Sequence, residues 1–235
     1  MTVPTQLADQ AVKNSATLPQ VLLARATRSP DALAERHKRL GIWREFTWAD
    51  VLDRVRAFAL GLEKLGFQRG ETLMLIGENE PEHFWAEYAA QSLGGMVLSV
   101  YPDQTADEIV YLAQDSQTRV FVAQDQEQVD KCLEVADKID GVISIVFWDG
   151  AGLWGYTSPL LRDFKDLCKQ GRAIHSEAPQ HFADQVAAGL ANDIAVLSYT
   201  SGTTGLPKGV MISHRYMFDN ASRILGAIDI QPGAG

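Results

Sequence analysis

Short apolar segments recur along the middle of the chain, and stretches with helical spacing separate them. The apolar segments cover residues 72–76, 96–100, 120–123 and 142–147. Continuous apolar runs of this kind are typical of strands that are buried on both faces of a sheet. Their alternation with helices predicts βαβ units, so we expect an α/β fold in which a parallel sheet has helices on both faces.

The clearest predicted helix begins after Thr47. Threonine is a good N-cap residue, and Asp50 stands in the first turn, where a negative charge is favourable. Apolar side chains then recur at steps of three and four residues as far as Leu65, which is one face of a helix. Gly66 follows, where a glycine in the left-handed conformation commonly ends a helix.

Other helices are predicted from similar signals. Thr105 and Glu108 have the spacing of a capping box. Apolar spacing predicts a helix that opens at Ser158-Pro159 and continues through Cys168. Further helices are expected over residues 18–26, 81–89, 106–113, 129–136, 183–190 and 217–225, and short strands over 32–34 and 42–43.

A stretch rich in glycine and hydroxyl residues, 199–209, lies between two strand-like runs, 194–197 and 210–213. Glycines let the backbone approach a ligand closely, and successive N–H groups in such a turn form a concave anion site. Hydroxyls add hydrogen-bond donors, and lysine adds a compact positive charge that suits phosphate oxygens. The order of residues differs from a Walker A loop, which places Gly-Lys-Ser/Thr after four free positions. The candidate phosphate-binding residues are Thr200, Ser201, Gly202, Thr203, Thr204, Gly205 and Lys208.

The string Tyr-Thr-Ser-Gly-Thr-Thr-Gly-Leu-Pro-Lys-Gly resembles the phosphate-loop signature of the AMP-forming (adenylate-forming) acyl-CoA synthetases. The similarity continues through Val210, Met211, Ser213 and His214. The resemblance implies that the chain is the first part of the large N-terminal domain of such an enzyme. The segment over residues 149–192 is similar to that of the long-chain fatty acyl-CoA ligases.

The resemblance also implies a two-step reaction. A carboxylate attacks the α-phosphorus of ATP to give an acyl-adenylate and pyrophosphate, and the thiol of coenzyme A then takes the acyl group. The loop would hold the β- and γ-phosphates, a task of positioning and electrostatics in which Mg²⁺ would share. The implied small-molecule partners are therefore ATP, a carboxylic acid and coenzyme A.

The later motifs of the family do not occur in this sequence. It has no Tyr-Gly-x-Thr-Glu element for magnesium and no later Thr-Gly-Asp element for the ribose, and the C-terminal domain with its catalytic lysine is absent. We therefore expect neither a catalytic residue nor a metal ligand here, and a truncated part that is inactive alone. The predicted organisation is a βα-alternating part over 1–150, a connecting segment over 151–192, and the loop-bearing strand pair with its following helix over 193–235.

Other functions stay open at this point. The missing motifs also fit a nucleotide-binding or protein-interaction module that does not catalyse. A P-loop phosphotransferase is disfavoured because the Gly-Lys-Ser/Thr element is missing. The acid is open as well, since aryl, short-chain and amino-acid activators belong to the same family, and the residues that shape its acyl pockets mostly lie downstream.

Composition restricts the location and the partners. The 235 residues carry a formal net charge of −9, without the basic balance typical of proteins that bind duplex nucleic acid. The sequence shows neither an apolar run of transmembrane length nor a secretory signal. We expect a cytoplasmic protein without nucleic-acid partners, and we leave peripheral membrane association and the oligomeric state open. Cys132 and Cys168, far apart and without a CxxC motif, are expected to be reduced core thiols.

Two histidines have two interpretations each. His83, beside Trp85 on a predicted helix, either contacts an acyl group or is a packed or partly exposed histidine without a role in binding. His214 follows the strand that leaves the glycine-rich stretch. It either lines the nucleotide site or makes a structural hydrogen bond at the start of a helix.

Overall fold

The computed structural model describes residues 15–200 and 206–227. Its strands are β1 (Leu33–Arg39), β2 (Ile42–Thr47), β3 (Thr72–Ile76), β4 (Met96–Val100), β5 (Thr118–Ala123), β6 (Ser144–Phe147), β7 (Leu161–Asp163), β8 (Ile194–Thr200) and β9 (Lys208–Ser213). Its α-helices are α1 (Leu18–Arg28), α2 (Trp48–Leu65), α3 (Pro81–Ser92), α4 (Ala106–Asp115), α5 (Gln126–Val135), α6 (Phe164–Glu177), α7 (His181–Ala187) and α8 (His214–Ala227).

Strands β3 to β9 form one sheet in the order β7-β6-β5-β3-β4-β8-β9. Strand β3 pairs in parallel with both β4 and β5, and the parallel arrangement continues to β6 and β7 on one side and to β8 on the other. Only the last pair of the described sheet, β8 and β9, is antiparallel. The parallel sheet predicted from the four central apolar segments is confirmed.

Side chains alternate between the two faces of the sheet and build an apolar layer on each. Leu73 and Leu75 belong to the layer that α2, α3 and α6 cover. Met74 and Ile76 belong to the layer that α4 and α5 cover. All four side chains are completely buried. This strand is continuously apolar because both of its faces lie in a core.

The helix signals at Thr47 and Thr105 are confirmed. The Thr47 hydroxyl accepts the backbone N–H of Asp50 at 3.2 Å, and the Asp50 carboxylate accepts the Thr47 N–H at 2.9 Å. Thr105 and Glu108 form the same reciprocal capping box at the start of α4. Gly66 ends α2 with a φ of 101°, in the left-handed region. Caps of this kind contribute about 1 kcal/mol each, so local sequence fixes where these helices begin and end.

The predicted starting point of the helix that was expected to open at Ser158-Pro159 is wrong. Leu161–Asp163 instead forms β7, which pairs in parallel with β6, and helix α6 begins only at Phe164. The side chain of Asp163 caps α6 by accepting the backbone N–H of Lys165 at 2.6 Å. The sheet offers these residues backbone partners along β6, and this tertiary pairing overrides the helical spacing of their apolar side chains.

Other differences concern the ends of elements. Helix α6 continues to Glu177, and the short helix predicted over 183–190 is α7, shifted towards the N-terminus. Strands β1 and β2 extend well beyond the predicted short strands and form a separate antiparallel hairpin. The division of the chain at residues 150 and 192 stays a prediction, although β7 and β8 lie in the same sheet as β3 to β6.

Candidate functional site

Strands β8 and β9 frame the predicted phosphate-binding stretch. Thr200 stands opposite Lys208 in their antiparallel register, so these two candidates form the mouth of the connection. Both side chains are exposed. The other candidates lie outside the described residues: Ser201, Gly202, Thr203, Thr204 and Gly205.

The mouth lies at the edge of the sheet where the parallel strands end. Strand β8 runs parallel to β4, which runs parallel to β3, so Thr200 ends its strand at the same edge as Ile76 and Val100. In open α/β sheets, ligands bind in the crevice outside these carboxyl ends. The fold thus brings the glycine-rich stretch to the edge where a small-molecule site is expected.

Two tyrosines attach helix α4 to this strand pair. The Tyr111 hydroxyl donates to the carbonyl oxygen of Pro207 at 2.6 Å, where the chain enters β9. The Tyr199 hydroxyl donates to the Asp115 carboxylate at 2.6 Å. Burial, and then the hydrogen bond to Asp115, raise the pKa of Tyr199 above its ordinary value, so the phenol stays protonated as a donor. Helix α4 therefore holds both sides of the mouth.

Gly209 follows Lys208 and pairs with Tyr199 across the two strands. A Cβ atom at Gly209 would lie 3.0 Å from Cζ of the Tyr199 ring, which is closer than ordinary side-chain contacts. A glycine at this position lets the aromatic ring lie against the β9 backbone. The ring can then keep its hydrogen bond to Asp115.

A cavity of about 900 Å³ opens beside the mouth. Residues 98–100 of β4 and 196–199 of β8 line it, together with Tyr111 of α4. Residues 206–207 line the end nearest the glycine-rich stretch. A concave space with both apolar and polar lining is typical of small-molecule sites.

A family model described as "AMP-binding enzyme" matches residues 22–232. The matched region includes the whole described sheet and the glycine-rich stretch. The chain belongs to this family.

Curated relatives of this chain are acid–CoA ligases. A long-chain-fatty-acid–CoA ligase of Xenopus laevis is 29% identical over 199 residues, which cover 84% of this chain and 26% of the relative. A 4-coumarate–CoA ligase of Petroselinum crispum is 34% identical over 170 residues, which cover 72% of this chain and 28% of the relative. The chain thus spans about a quarter of the length of these relatives.

A solved structure of a long-chain-fatty-acid–CoA ligase from Archaeoglobus fulgidus superposes on the AMP-binding chain with a TM-score of 0.71 at 19% identity. The superposition covers 92% of this chain and 40% of that one. It shows that the two share the fold.

His83 lies on α3 and is 5% exposed, which confirms the packed interpretation. Its Nε2 lies 3.2 Å from the Ser99 hydroxyl, while its Nδ1 has no hydrogen-bond partner among the described residues. Burial lowers the pKa of His83 to about 4, so the ring is neutral at pH 7. His83 also lines the cavity, so its contact with an acyl group stays a prediction.

The sequence allowed two roles for His214, and the structure shows one of them, a structural hydrogen bond at the start of a helix. Its Nδ1 accepts the backbone N–H of Leu18 at 3.3 Å, and the side chain is 2% exposed. Burial lowers the pKa of His214, which favours the neutral ring that can accept this bond. The residue therefore links the start of α8 to the start of α1.

Neither cysteine of the chain is placed for nucleophilic chemistry. Cys132 and Cys168 are both buried and free. Burial raises the pKa of the Cys168 thiol to about 12 and raises that of Cys132 further. Thiolates are the reactive form, so both residues are core thiols, as their positions on apolar helix faces predict.

In residues 15–200 and 206–227, no group of three or more His, Cys, Asp or Glu side chains could hold a metal ion. Over the same residues, no helix is both long and apolar enough to cross a bilayer.

The sequence patterns did not identify the two residues of α4 that bond to Pro207 and Tyr199 beside the mouth. Tyr111 and Asp115 are four positions apart on α4, and they contact residues 96 and 84 positions away. Tyrosine and aspartate at this spacing are common on exposed helix faces. No local signal marks these two, and only the register of α4 against β8 and β9 reveals them.

Proposed function

We propose that the protein to which this chain belongs activates a long-chain fatty acid with ATP and transfers the acyl group to coenzyme A. In the first step, a carboxylate oxygen attacks the α-phosphorus of ATP, the bond to the bridging oxygen breaks, and pyrophosphate leaves. In the second step, the thiol of coenzyme A loses its proton and attacks the acyl carbonyl, and AMP leaves.

One observation carries this proposal: Thr200 and Lys208 stand exposed and opposite each other at the carboxyl edge of the sheet. Among the residues that the structure describes, no carboxylate forms an ion pair with Lys208, so its charge is free for an anion. The family's glycine-rich stretch spans the gap between the two residues. Backbone N–H groups there, with Lys208 beside them, would hold the phosphates of ATP.

The role proposed for this mouth is positioning and charge stabilisation. Negative charge builds up on the leaving pyrophosphate during the first step, and Lys208 would stabilise it. The hydrogen bond from Tyr111 to Pro207 holds the backbone next to Lys208, and the bond from Tyr199 to Asp115 ties β8, which carries Thr200, to α4. Donors and charges that are already in position stabilise such a transition state without reorganisation at the moment of reaction.

The long-chain acid is the more specific part of the proposal. Its support is the similarity to a relative named for that substrate, together with the cavity of about 900 Å³ beside the mouth. The similarity to a 4-coumarate–CoA ligase supports an aryl acid instead. Substrate comparison therefore has to decide between the two.

Residues 15–200 and 206–227 contain no group of three or more His, Cys, Asp or Glu side chains that could hold a metal ion by themselves, and magnesium usually binds through one or two carboxylates together with substrate phosphates. We assign no step to this ion in the chain, and it would arrive with ATP. We further propose that the 235-residue chain alone completes neither half-reaction, because it spans about a quarter of the relatives' length. The cytoplasm is the proposed location, where ATP and coenzyme A are both present.

The test is acid-dependent exchange of labelled pyrophosphate into ATP by the longest native protein that contains this chain. Exchange with a long-chain acid, followed by acyl-CoA formation when coenzyme A is added, is the expected result. Exchange with 4-coumarate alone would overturn the assignment of the acid. Binding of ATP without exchange for any acid would favour a non-catalytic nucleotide-binding module. The isolated 235-residue chain, assayed in parallel, is expected to show neither pyrophosphate exchange nor acyl-CoA formation.

A further inference from the structure

The β1–β2 hairpin has an exposed apolar tip. Leu40 is 95% exposed, Ile42 is 69% exposed and Trp43 is 60% exposed. Leu40 and Gly41 form the two-residue turn, both with positive φ (50° and 82°). Turns of this type favour asparagine or glycine at the first position, so leucine there is strained and unpacked. A strained apolar residue that the fold does not bury points to a role at the surface.

The same hairpin is basic, although the chain as a whole has a net charge of −9. Its charged residues are Glu35, Arg36, Lys38, Arg39, Arg44 and Glu45. Arg36 pairs with Glu45 at 2.9 Å, and Arg39 pairs with Asp149 of the neighbouring loop at 3.0 Å. Within the described residues, neither Lys38 nor Arg44 forms an ion pair with a carboxylate. Two cations therefore remain beside the apolar tip.

Lys38 and Trp43 bring a positive charge and an exposed apolar ring together near the tip of the hairpin. They are partners in the register of the hairpin, and the Lys38 ammonium lies 5.8 Å from the centroid of the Trp43 ring. Tryptophan is enriched at the boundary between lipid headgroups and acyl chains, where its ring is apolar and its N–H reaches water. A lysine beside it can lay its methylene chain along the ring and keep its charge at headgroup level.

We propose that the β1–β2 hairpin docks the protein on an anionic lipid surface. Leu40, Ile42 and Trp43 enter the boundary between headgroups and acyl chains, while Lys38 and Arg44 contact the phosphates of the headgroups. Apolar side chains at the tip and basic side chains beside them are the combination found in segments that bind at the membrane interface. The inference stands whichever acid the protein activates.

Other occupants fit the observations less well. A stable protein interface covers about 800 Å² on each partner, and a narrow two-residue turn with three apolar side chains is a wedge rather than such a face. Nucleic acid would use the cations but offers nothing to the aliphatic side chains of Leu40 and Ile42. A lipid surface needs no matching shape, and anionic lipid complements the local positive charge of an otherwise acidic chain.

Vesicle flotation of the purified protein tests the proposal with matched variants. The vesicles contain phosphatidylcholine with or without phosphatidylglycerol. Trp154 is 95% exposed and Lys138 is exposed, and neither belongs to the hairpin, so they supply the controls. Trp43→Ala is compared with Trp154→Ala, and Lys38→Glu with Lys138→Glu. All four positions are exposed, so equal thermal unfolding midpoints are expected and would show that the fold is kept.

The wild-type protein is expected to float with the anionic vesicles, more weakly with the neutral ones, and less as salt is added. Trp43→Ala should reduce partitioning about tenfold, which corresponds to partial loss of one large apolar side chain. Lys38→Glu should reduce it about thirtyfold, because one favourable charge is lost and one unfavourable charge is added. The two control variants should partition like the wild type.

Three results would overturn the proposal. The first is absence of flotation with anionic vesicles. The second is an equal loss in the control variants. The third is self-association of the wild type in size exclusion that Trp43→Ala abolishes without any lipid binding, which would make the hairpin an interface between copies. Pyrophosphate exchange without vesicles should be unchanged in Trp43→Ala, so failure of lipid docking is separable from failure of the proposed reaction.

Discussion

The hydroxyl of Tyr111 donates a hydrogen bond to the carbonyl oxygen of Pro207, and the two oxygens are 2.6 Å apart. Helix α4 thereby holds the point where the chain leaves the phosphate-binding stretch and enters β9. Four residues further along the same helix, Asp115 accepts the hydrogen bond of Tyr199 on β8. One helix is therefore tied both to β8, which carries Thr200, and to the residue that precedes Lys208 at the start of β9.

Tyr111→Phe removes the first of these hydrogen bonds and keeps the aromatic ring. A neutral hydrogen bond typically contributes about 0.5–1.5 kcal/mol, so we expect the KM for ATP to rise about two- to tenfold in the exchange assay. The control is Tyr216→Phe, since Tyr216 is 61% exposed on α8. An unchanged KM in Tyr111→Phe, or an equal rise in the control, would show that the contact does not position the mouth.

Gly209→Ala tests the close contact between β9 and the ring of Tyr199. The new Cβ would lie 3.0 Å from the ring, so the ring must shift and weaken its bond to Asp115. We expect a loss of about 1 kcal/mol in the free energy of unfolding, measured with urea. Gly155→Ala is the matched control, because a Cβ at Gly155 meets no atom within 4 Å. Equal stability of the two variants would contradict the packing argument.

His83 predicts a specific dependence of stability on pH. In the folded protein its pKa is about 4, whereas in the unfolded chain the ring titrates at its ordinary value of 6.5. The unfolded state therefore binds the proton more tightly, and stability falls as the pH drops below about 6.5. Between about pH 7.5 and pH 5, the wild type should lose about 2 kcal/mol more than His83→Gln. Parallel losses in the two proteins would mean that His83 is not buried as described.

The parts of the fold that local sequence determines could be predicted. Strand β3 is continuously apolar because both of its faces are buried, and its bounds in the structure are the predicted ones. The capping pairs at Thr47 and Thr105 involve residues only three positions apart, so the sequence displays them directly. Short-range chemistry of this kind also identifies Thr200 and Lys208 as candidates.

Long-range pairing is what the sequence does not show. Leu161–Asp163 is a strand only because β6 offers it backbone partners, while the apolar spacing around it favours a helix. The contact from Tyr111 to Pro207 spans 96 positions and depends on β8 lying next to β4. Neither feature leaves a pattern in neighbouring residues. The candidates at 201–205 lie outside the described residues, so their role in phosphate binding stays a prediction.

The central claim is that the stretch between β8 and β9 serves the first half-reaction, and the two half-reactions can be measured separately. In the longest native protein that contains this chain, Lys208→Ala and Thr204→Ala should slow acid-dependent pyrophosphate exchange about ten- to a hundredfold each, since a charge-assisted phosphate contact is worth about 1.5–3 kcal/mol. Lys138→Ala, on an exposed site elsewhere, should leave exchange unchanged. Transfer to coenzyme A from preformed acyl-adenylate should suffer much less in Lys208→Ala, because pyrophosphate has already left. Equal damage to both half-reactions in that variant would contradict the role assigned to the mouth.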